Sequence, residues 1–162
     1  MKNNQLMIYG AYGYAGELMV REAVAQGLRP IIAGRDDEKL KPIATELSLE
    51  CRAFGVRNTG SNLQDISVLL NCAGPFSATA EPLARACLAQ QIHYLDITGE
   101  IDIFRKCHAL DEEARQQNVL ILPGAGTDIV PTDCLAAMLK EKLPVATRID
   151  LALSFGTNPS IG

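Results

Sequence analysis

The chain has no tryptophan, and aromatic residues make up only 5% of it. Aromatic recognition surfaces are therefore a poor basis for its function, whereas thirteen glycines point to tight backbone turns. It has two histidines, His93 and His108, and five cysteines, Cys51, Cys72, Cys87, Cys107 and Cys134, with no C-x-x-C pair. No zinc pattern can be assembled from these, and the neighbours Cys107 and His108 would not face each other on a helix. No metal is expected. An odd number of scattered cysteines reads as buried thiols in a reducing cytoplasm. Basic residues do not exceed acidic ones: 15 against 19 leaves a net charge of −4, too little positive field to gather nucleic-acid phosphates. No run approaches the ~18 apolar residues of a membrane span, and the start shows no signal-peptide core. A cytoplasmic location is the resulting expectation.

What is present suits one packed domain. The 162 residues are 48% hydrophobic and 21% charged, and a chain of this size buries roughly 70% of its extended surface. Short apolar runs alternate with amphipathic stretches. Strands are expected at Leu6–Tyr9, Pro30–Ala33, Cys51–Phe54, Val68–Asn71, His93–Asp96 and Val119–Leu122. Helices are expected at Gly13–Gln26, Asp37–Leu47, Ala80–Gln90, about Asp102–Gln117 and about Thr132–Lys142. Such alternation predicts an α/β fold: a doubly wound parallel sheet of Rossmann type in a three-layer α/β/α sandwich. The continuous apolar first, fourth and sixth strands fit burial on both faces. Between Thr147 and Phe155 large apolar residues fall on every second position instead, the pattern of a strand covered on one face.

Directly after the first strand comes Gly10-Ala11-Tyr12-Gly13-Tyr14-Ala15-Gly16, a G-x-x-G-x-x-G spacing that opens a helix. A dinucleotide pyrophosphate needs close backbone approach, free N–H groups and the positive end of a helix. Gly10 permits the turn, Gly13 lets the main chain reach the phosphates, and Gly16 lets the helix approach the sheet. The second strand ends Ala33-Gly34-Arg35-Asp36, with Arg35 where NAD proteins carry a ribose-binding acid. An arginine there can meet a 2′-phosphate, which favours NADP over NAD. Asp36 reads as a helix N-cap.

Three further loops leave the carboxyl edge, where ligands of open parallel sheets bind. Asn71-Cys72-Ala73-Gly74-Pro75-Phe76 lets a ribose or nicotinamide lie against backbone. Asp96-Ile97-Thr98-Gly99-Glu100 brings two carboxylates and a hydroxyl to the same edge, either as a substrate or nicotinamide contact or as helix caps. Pro123-Gly124-Ala125-Gly126-Thr127-Asp128 follows the sixth strand, and Pro131-Thr132-Asp133 reads as a helix start. No triad partners accompany these carboxylates, and no catalytic acid or base can be named.

Taken together, the glycine turn, Ala33-Gly34-Arg35, Cys72-Ala73-Gly74-Pro75-Phe76, Tyr94-Leu95-Asp96-Ile97-Thr98-Gly99-Glu100 and Pro123-Gly124-x-Gly126 resemble the saccharopine dehydrogenase-like oxidoreductases, whose relatives include trans-acting enoyl reductases. The resemblance spans about residues 5 to 155. It implies a nicotinamide-cofactor Rossmann domain, with Gly10, Tyr12, Gly13, Tyr14 and Ala15 around the pyrophosphate and Arg35 at the adenosine ribose. Ala73, Gly74, Pro75 and Phe76 would lie near the nicotinamide half. Short-chain dehydrogenases share an N-x-A-G string, but no tyrosine here precedes a lysine by four residues.

Members of the family continue into a second, substrate-binding and dimerising domain. Residues 1–145 thus read as the cofactor domain and 146–162 as the first strand of that further domain. On this reading the 162-residue chain binds cofactor but does not turn over a small-molecule substrate alone. A cofactor-sensing regulator and an enzyme completed by oligomerisation are the alternatives. The alternating strand near residue 150 could pair with its copy in a homodimer.

Overall fold

The structure is a computed structural model that describes residues 5–127 and 129–152. Its six strands are β1 (Leu6–Tyr9), β2 (Ile31–Gly34), β3 (Cys51–Ala53), β4 (Val68–Asn71), β5 (His93–Asp96) and β6 (Ile121–Leu122). Its six helices are α1 (Tyr14–Ala25), α2 (Asp37–Leu47), α3 (Phe76–Ala89), α4 (Ile101–His108), α5 (Asp111–Gln117) and α6 (Val130–Lys142). The strands form one parallel sheet in the order β3-β2-β1-β4-β5-β6. The order reverses at β1, so a crevice opens between the loops that follow β1 and β4.

Strand alternation sends successive side chains to opposite faces, and each face has its own core. Ile8 pairs in register with Ile32 and Leu70. On that face Ile8, Ile32 and Cys72 pack with Val20 and Ala23 of α1 and Leu40, Ile43 and Ala44 of α2. On the other, Met7, Ile31, Leu69 and Tyr94 pack with Ala80, Leu83, Ala84 and Cys87 of α3, Ile103 and Cys107 of α4 and Ala114 of α5. These helix positions recur every three or four residues, the spacing of one buried stripe. The expected three-layer α/β/α arrangement is the one observed.

Several boundaries depart from the sequence reading. Helix α3 begins at Phe76 rather than Ala80, because Pro75 takes the extended N-cap position from which a helix can start. The single helix expected over 102–117 is two, broken at Ala109–Leu110. The apolar period runs unbroken through Ile103, Cys107, Leu110 and Ala114, so periodicity alone conceals the break. Asp111, Glu112 and Glu113 supply the acidic first turn of a new helix. Strand β6 is an edge strand, and its Leu122 and the adjoining Leu120 are 43% and 50% exposed; the expectation of burial on both faces fails there. Helix α6 has no buried residue. Residues 147–152 have no regular structure, and residues 153–155 of the expected strand lie outside the described residues. Cys134 is exposed, unlike the buried Cys72, Cys87 and Cys107.

Candidate functional site

The glycine turn is built by close packing. Gly10 has φ of 84°, and its N–H and that of Ala11 both donate to the Ala33 carbonyl of β2, at 2.7 and 3.1 Å. A Cβ on Gly10 would stand 2.7 Å from the Ala73 nitrogen, so the turn after β1 is seated on the loop after β4. A Cβ on Gly16 would overlap the Gly10 carbonyl oxygen. Gly13 is the N-cap of α1, in extended conformation and without a side-chain cap. The start of α1 is thus bare backbone with no Cβ at its closest approaches, a cradle that fits a pyrophosphate.

Beside this turn lies a cationic corner. A Cβ on Gly34 would fall 2.6 Å from Cε1 of Tyr12, so the tyrosine ring lies across the end of β2. The ammonium of Lys39 sits 5.7 Å from the centroid of that ring and 3.8 Å from the Asp36 carboxylate. Asp36 also caps α2 as expected, accepting from the Lys39 N–H at 3.3 Å. Arg35 is exposed at the same corner. Its charge reaches Tyr9, whose phenol donates to the Phe54 carbonyl at 2.9 Å and is pushed up to about 12, chiefly by burial. Lys39 escaped the sequence reading, although its place one helical turn beyond Asp36 was a usable signal.

On the far side of β1, the residues expected at the nicotinamide edge do not all behave alike. Asp96 and Thr98 are 0% and 1% exposed, whereas Gly99 and Glu100 are open to solvent. Asp96 therefore does not present its carboxylate to a ligand. Its Oδ1 accepts from the N–H groups of Thr98 and Gly124, at 3.0 and 2.9 Å. Its Oδ2 accepts from the Tyr94 hydroxyl at 2.9 Å. Glu100 is the N-cap residue of α4, but its side chain accepts instead from the Phe76 N–H at 3.2 Å, at the start of α3. The Thr98 hydroxyl accepts from the Glu100 N–H at 3.1 Å. Ala73, Gly74, Pro75 and Phe76 run from β4 into α3, with a cis peptide between Gly74 and Pro75. Nearby Cys72 is pushed up to about 12 by burial and by the charge of Asp96. Asn71, Tyr94 and Thr79, which hold this edge together, went unassigned, although Tyr94-x-Asp96 on one strand places both side chains on one face.

A groove of about 700 Å³ lined by Gln5, Leu6, Ser67, Val68, Gln91 and His93 opens at the amino ends of the strands, opposite the site. Among the described residues, no cluster of three or more His, Cys, Asp or Glu could hold a metal ion. Among the same residues, no helix is long and apolar enough to cross a membrane.

Comparison with known proteins agrees with this geometry. Residues 6–122 match the family described as saccharopine dehydrogenase NADP binding domain. A saccharopine dehydrogenase-like oxidoreductase of Rattus norvegicus is 27% identical over 96% of this chain and 42% of its own. The chain thus spans less than half the length of that relative. In fold it is similar to apo saccharopine dehydrogenase (L-Glu forming) of Saccharomyces cerevisiae, with a TM-score of 0.74 and 12% identity over 89% of this chain and 32% of that one. The expectation of a cytoplasmic location is overturned. A Caenorhabditis elegans relative, 23% identical over 87% of this chain and 37% of its own, is named a lipid droplet localized protein. An Arabidopsis thaliana relative, 26% identical over 79% and 33%, is named for the mitochondrion. With a family match across most of its length and a glycine cradle at the switch point of a parallel sheet, the chain belongs to the saccharopine dehydrogenase NADP-binding domain family and binds NADP.

Proposed function

We propose that the chain is the cofactor-binding part of an oxidoreductase that moves a hydride between NADP(H) and a small-molecule substrate. The observation that carries this reading is the tight turn at Gly10, Gly13 and Gly16, packed without room for a Cβ at Gly10 or Gly16 and leading into an α1 start that has no side-chain cap. Gly10, Tyr12, Gly13, Tyr14, Ala15 and Gly16 would hold the pyrophosphate, with backbone N–H groups rather than cations as the main donors. Arg35, joined by Lys39, would hold the 2′-phosphate; both are exposed and remain solvated until a ligand arrives. Ala73, Gly74, Pro75 and Phe76 would lie along the nicotinamide half. Gly99 and Glu100, which are open to solvent, would border the substrate side, with the buried Thr98 and Asp96 behind them. When bound, NADPH supplies a hydride and NADP⁺ accepts one. The residues named here bind and orient; the acid or base that completes the reaction is assigned to none of them.

Residues 1–145 form the cofactor domain in this reading, and 146–162 open a substrate-binding and dimerising domain. Two features support that division. The rat relative is more than twice as long as the part matched here. The surface at β6 and α6 is also apolar, with Leu120, Leu122, Leu135, Met138 and Leu143 all more than 40% exposed. Titration of the chain with NADPH and NADH, followed by nicotinamide fluorescence, tests the reading. Saturable binding that favours NADPH, without consumption of it by the chain alone, is the expected result. No saturable NADPH binding would sink it.

A further inference from the structure

The buried polar side chains among the described residues are Asn71, Asp96 and Thr98; Asn71 and Asp96 belong to one hydrogen-bonded chain across β4, β5 and the loop after β6, which Thr98 joins through its backbone N–H. We propose that Asp96 is a positioning residue that, through Tyr94 and Asn71, fixes the conformation of the Ala73–Phe76 loop and thereby the surface that takes the nicotinamide half of the cofactor. The proposal rests on the reading above that this loop borders the nicotinamide.

The direction of each hydrogen bond follows from what each group can give. A carboxylate only accepts, and Asp96 accepts at both ends: two backbone N–H groups on Oδ1 and the Tyr94 hydroxyl on Oδ2. Tyr94 has one proton to share, and its hydroxyl donates it in the hydrogen bond to Asp96. The phenol oxygen is thereby left as an acceptor, and Asn71 Nδ2 donates to it at 3.1 Å. The same Nδ2 donates to Thr79 Oγ1 at 3.2 Å. With its amine turned toward Tyr94 and Thr79, Asn71 must turn Oδ1 the other way, where it accepts from the Ala73 N–H at 3.0 Å. The Thr79 hydroxyl donates to the Ala73 carbonyl at 2.6 Å. Both backbone groups of Ala73 are thus held by side chains whose orientation descends from one carboxylate. Burial and the charge of Asp96 hold the Tyr94 phenol far above its usual range, so it keeps its single proton. A buried network of this kind has few alternative arrangements, because each reversal leaves two donors or two acceptors facing each other.

An amide of the same shape at position 96 cannot replace the carboxylate. If its oxygen stays on the Thr98 and Gly124 N–H groups, its amine faces Tyr94 and forces the phenol to donate toward Asn71. Asn71 must then rotate and set its own amine against the Ala73 N–H. If the amide at 96 rotates instead, its amine meets the two backbone donors.

The test is Asp96→Asn in the intact chain, with affinities measured by calorimetry for NADPH and for 2′,5′-ADP, which is the adenosine half alone. We expect 2′,5′-ADP to bind as in the wild type and NADPH to bind about tenfold more weakly, the scale of one lost hydrogen-bonding arrangement. The double variant Asp96→Asn/Tyr94→Phe has no phenol to reverse, so NADPH affinity returns most of the way although thermal stability falls further. A residue that served stability alone would show no such rescue. Thr79→Val, a near-isosteric change at a half-buried site, releases the Ala73 carbonyl and should show the same split between the two ligands if Asp96→Asn does not fold. Equal loss of both ligands, or unchanged NADPH affinity, overturns the proposal. Wild-type chain that binds 2′,5′-ADP as tightly as NADPH overturns the nicotinamide assignment beneath it and leaves the adenosine side standing.

Discussion

The carbonyl oxygen of Gly10 occupies the space into which any side chain at Gly16 would project. Two glycines six residues apart are thereby locked into one turn, with the strand end and the helix start in direct contact. Gly16→Ala sets a methyl group against backbone atoms that cannot rotate away, with the Gly10 carbonyl carbon 2.8 Å from it. The expected loss is about 1–3 kcal/mol, the usual scale of overpacking, measured by urea denaturation. Gly13→Ala meets only one atom, at 3.3 Å, and should cost less stability while still weakening NADPH binding.

Gly34 makes a different kind of contact. Its neighbour is the half-buried ring of Tyr12, which can swing aside. Gly34→Ala should therefore cost less than Gly16→Ala, about 1 kcal/mol, but displace Tyr12 and the Lys39 ammonium above it. NADPH affinity falls, and the Tyr12→Ala background abolishes the effect of the alanine, because no ring is left to displace.

Cofactor preference should reside in the two exposed cations at this corner. Arg35→Gln is expected to weaken NADPH by roughly 10–100-fold, the worth of a hydrogen bond to a charged group. Lys39→Gln should cost only about three- to fivefold, since a solvated ammonium contributes less. Neither change should move NADH affinity by comparable amounts, and both effects shrink with added salt. Equal losses for the two cofactors would place these side chains elsewhere than at the 2′-phosphate.

The thiols should separate by burial. Cys134 is exposed and will react first with a thiol reagent near pH 8, whereas Cys72 and Cys87, both pushed up to about 12 by burial, wait for unfolding. Cys107, raised to about 11, joins the slow group. These raised values also set the alkaline limit of the fold. Each group is neutral when folded and begins to ionise in the unfolded chain near 9, or near 10 for Tyr9. The stability they contribute is complete below those values and is lost as pH rises toward 12. Urea midpoints should accordingly fall between pH 9 and 12 and stay level with respect to these groups below it.

How much of this was legible in the sequence depended on the range of the interaction. The strands at Leu6–Tyr9, Val68–Asn71 and His93–Asp96 and the helix Asp37–Leu47 were read with the boundaries observed, because local apolar periods and an Asp36 cap define them. The break at Ala109–Leu110 was hidden, since Leu110 keeps the apolar period while the backbone bends. The glycine turn was readable from spacing, but its seating against Ala73 depends on β1 and β4 lying side by side, sixty residues apart in sequence. Asp96 shows the same limit. Two carboxylates near one edge look alike in sequence, and only the paired strands show that Asp96 turns inward to Tyr94 while Glu100 reaches across to Phe76. Lys39 is locally tied only to Asp36; that it also overlies the Tyr12 ring depends on packing across the end of β2.

Helix α6 contributes thirteen residues to the described chain and buries none of them. With no buried face to anchor it, a helix of that length sits near the limit of persistence in water, where nucleation costs as much as the added turns return. Its backbone amides should therefore exchange with solvent deuterium on the timescale of local fraying rather than of global unfolding. Helix α6 is then the part of the cofactor domain expected to open at the lowest free energy. Any surface that covers Leu135, Met138 and Leu139 would raise that free energy, and slowed exchange in α6 would register that covering directly.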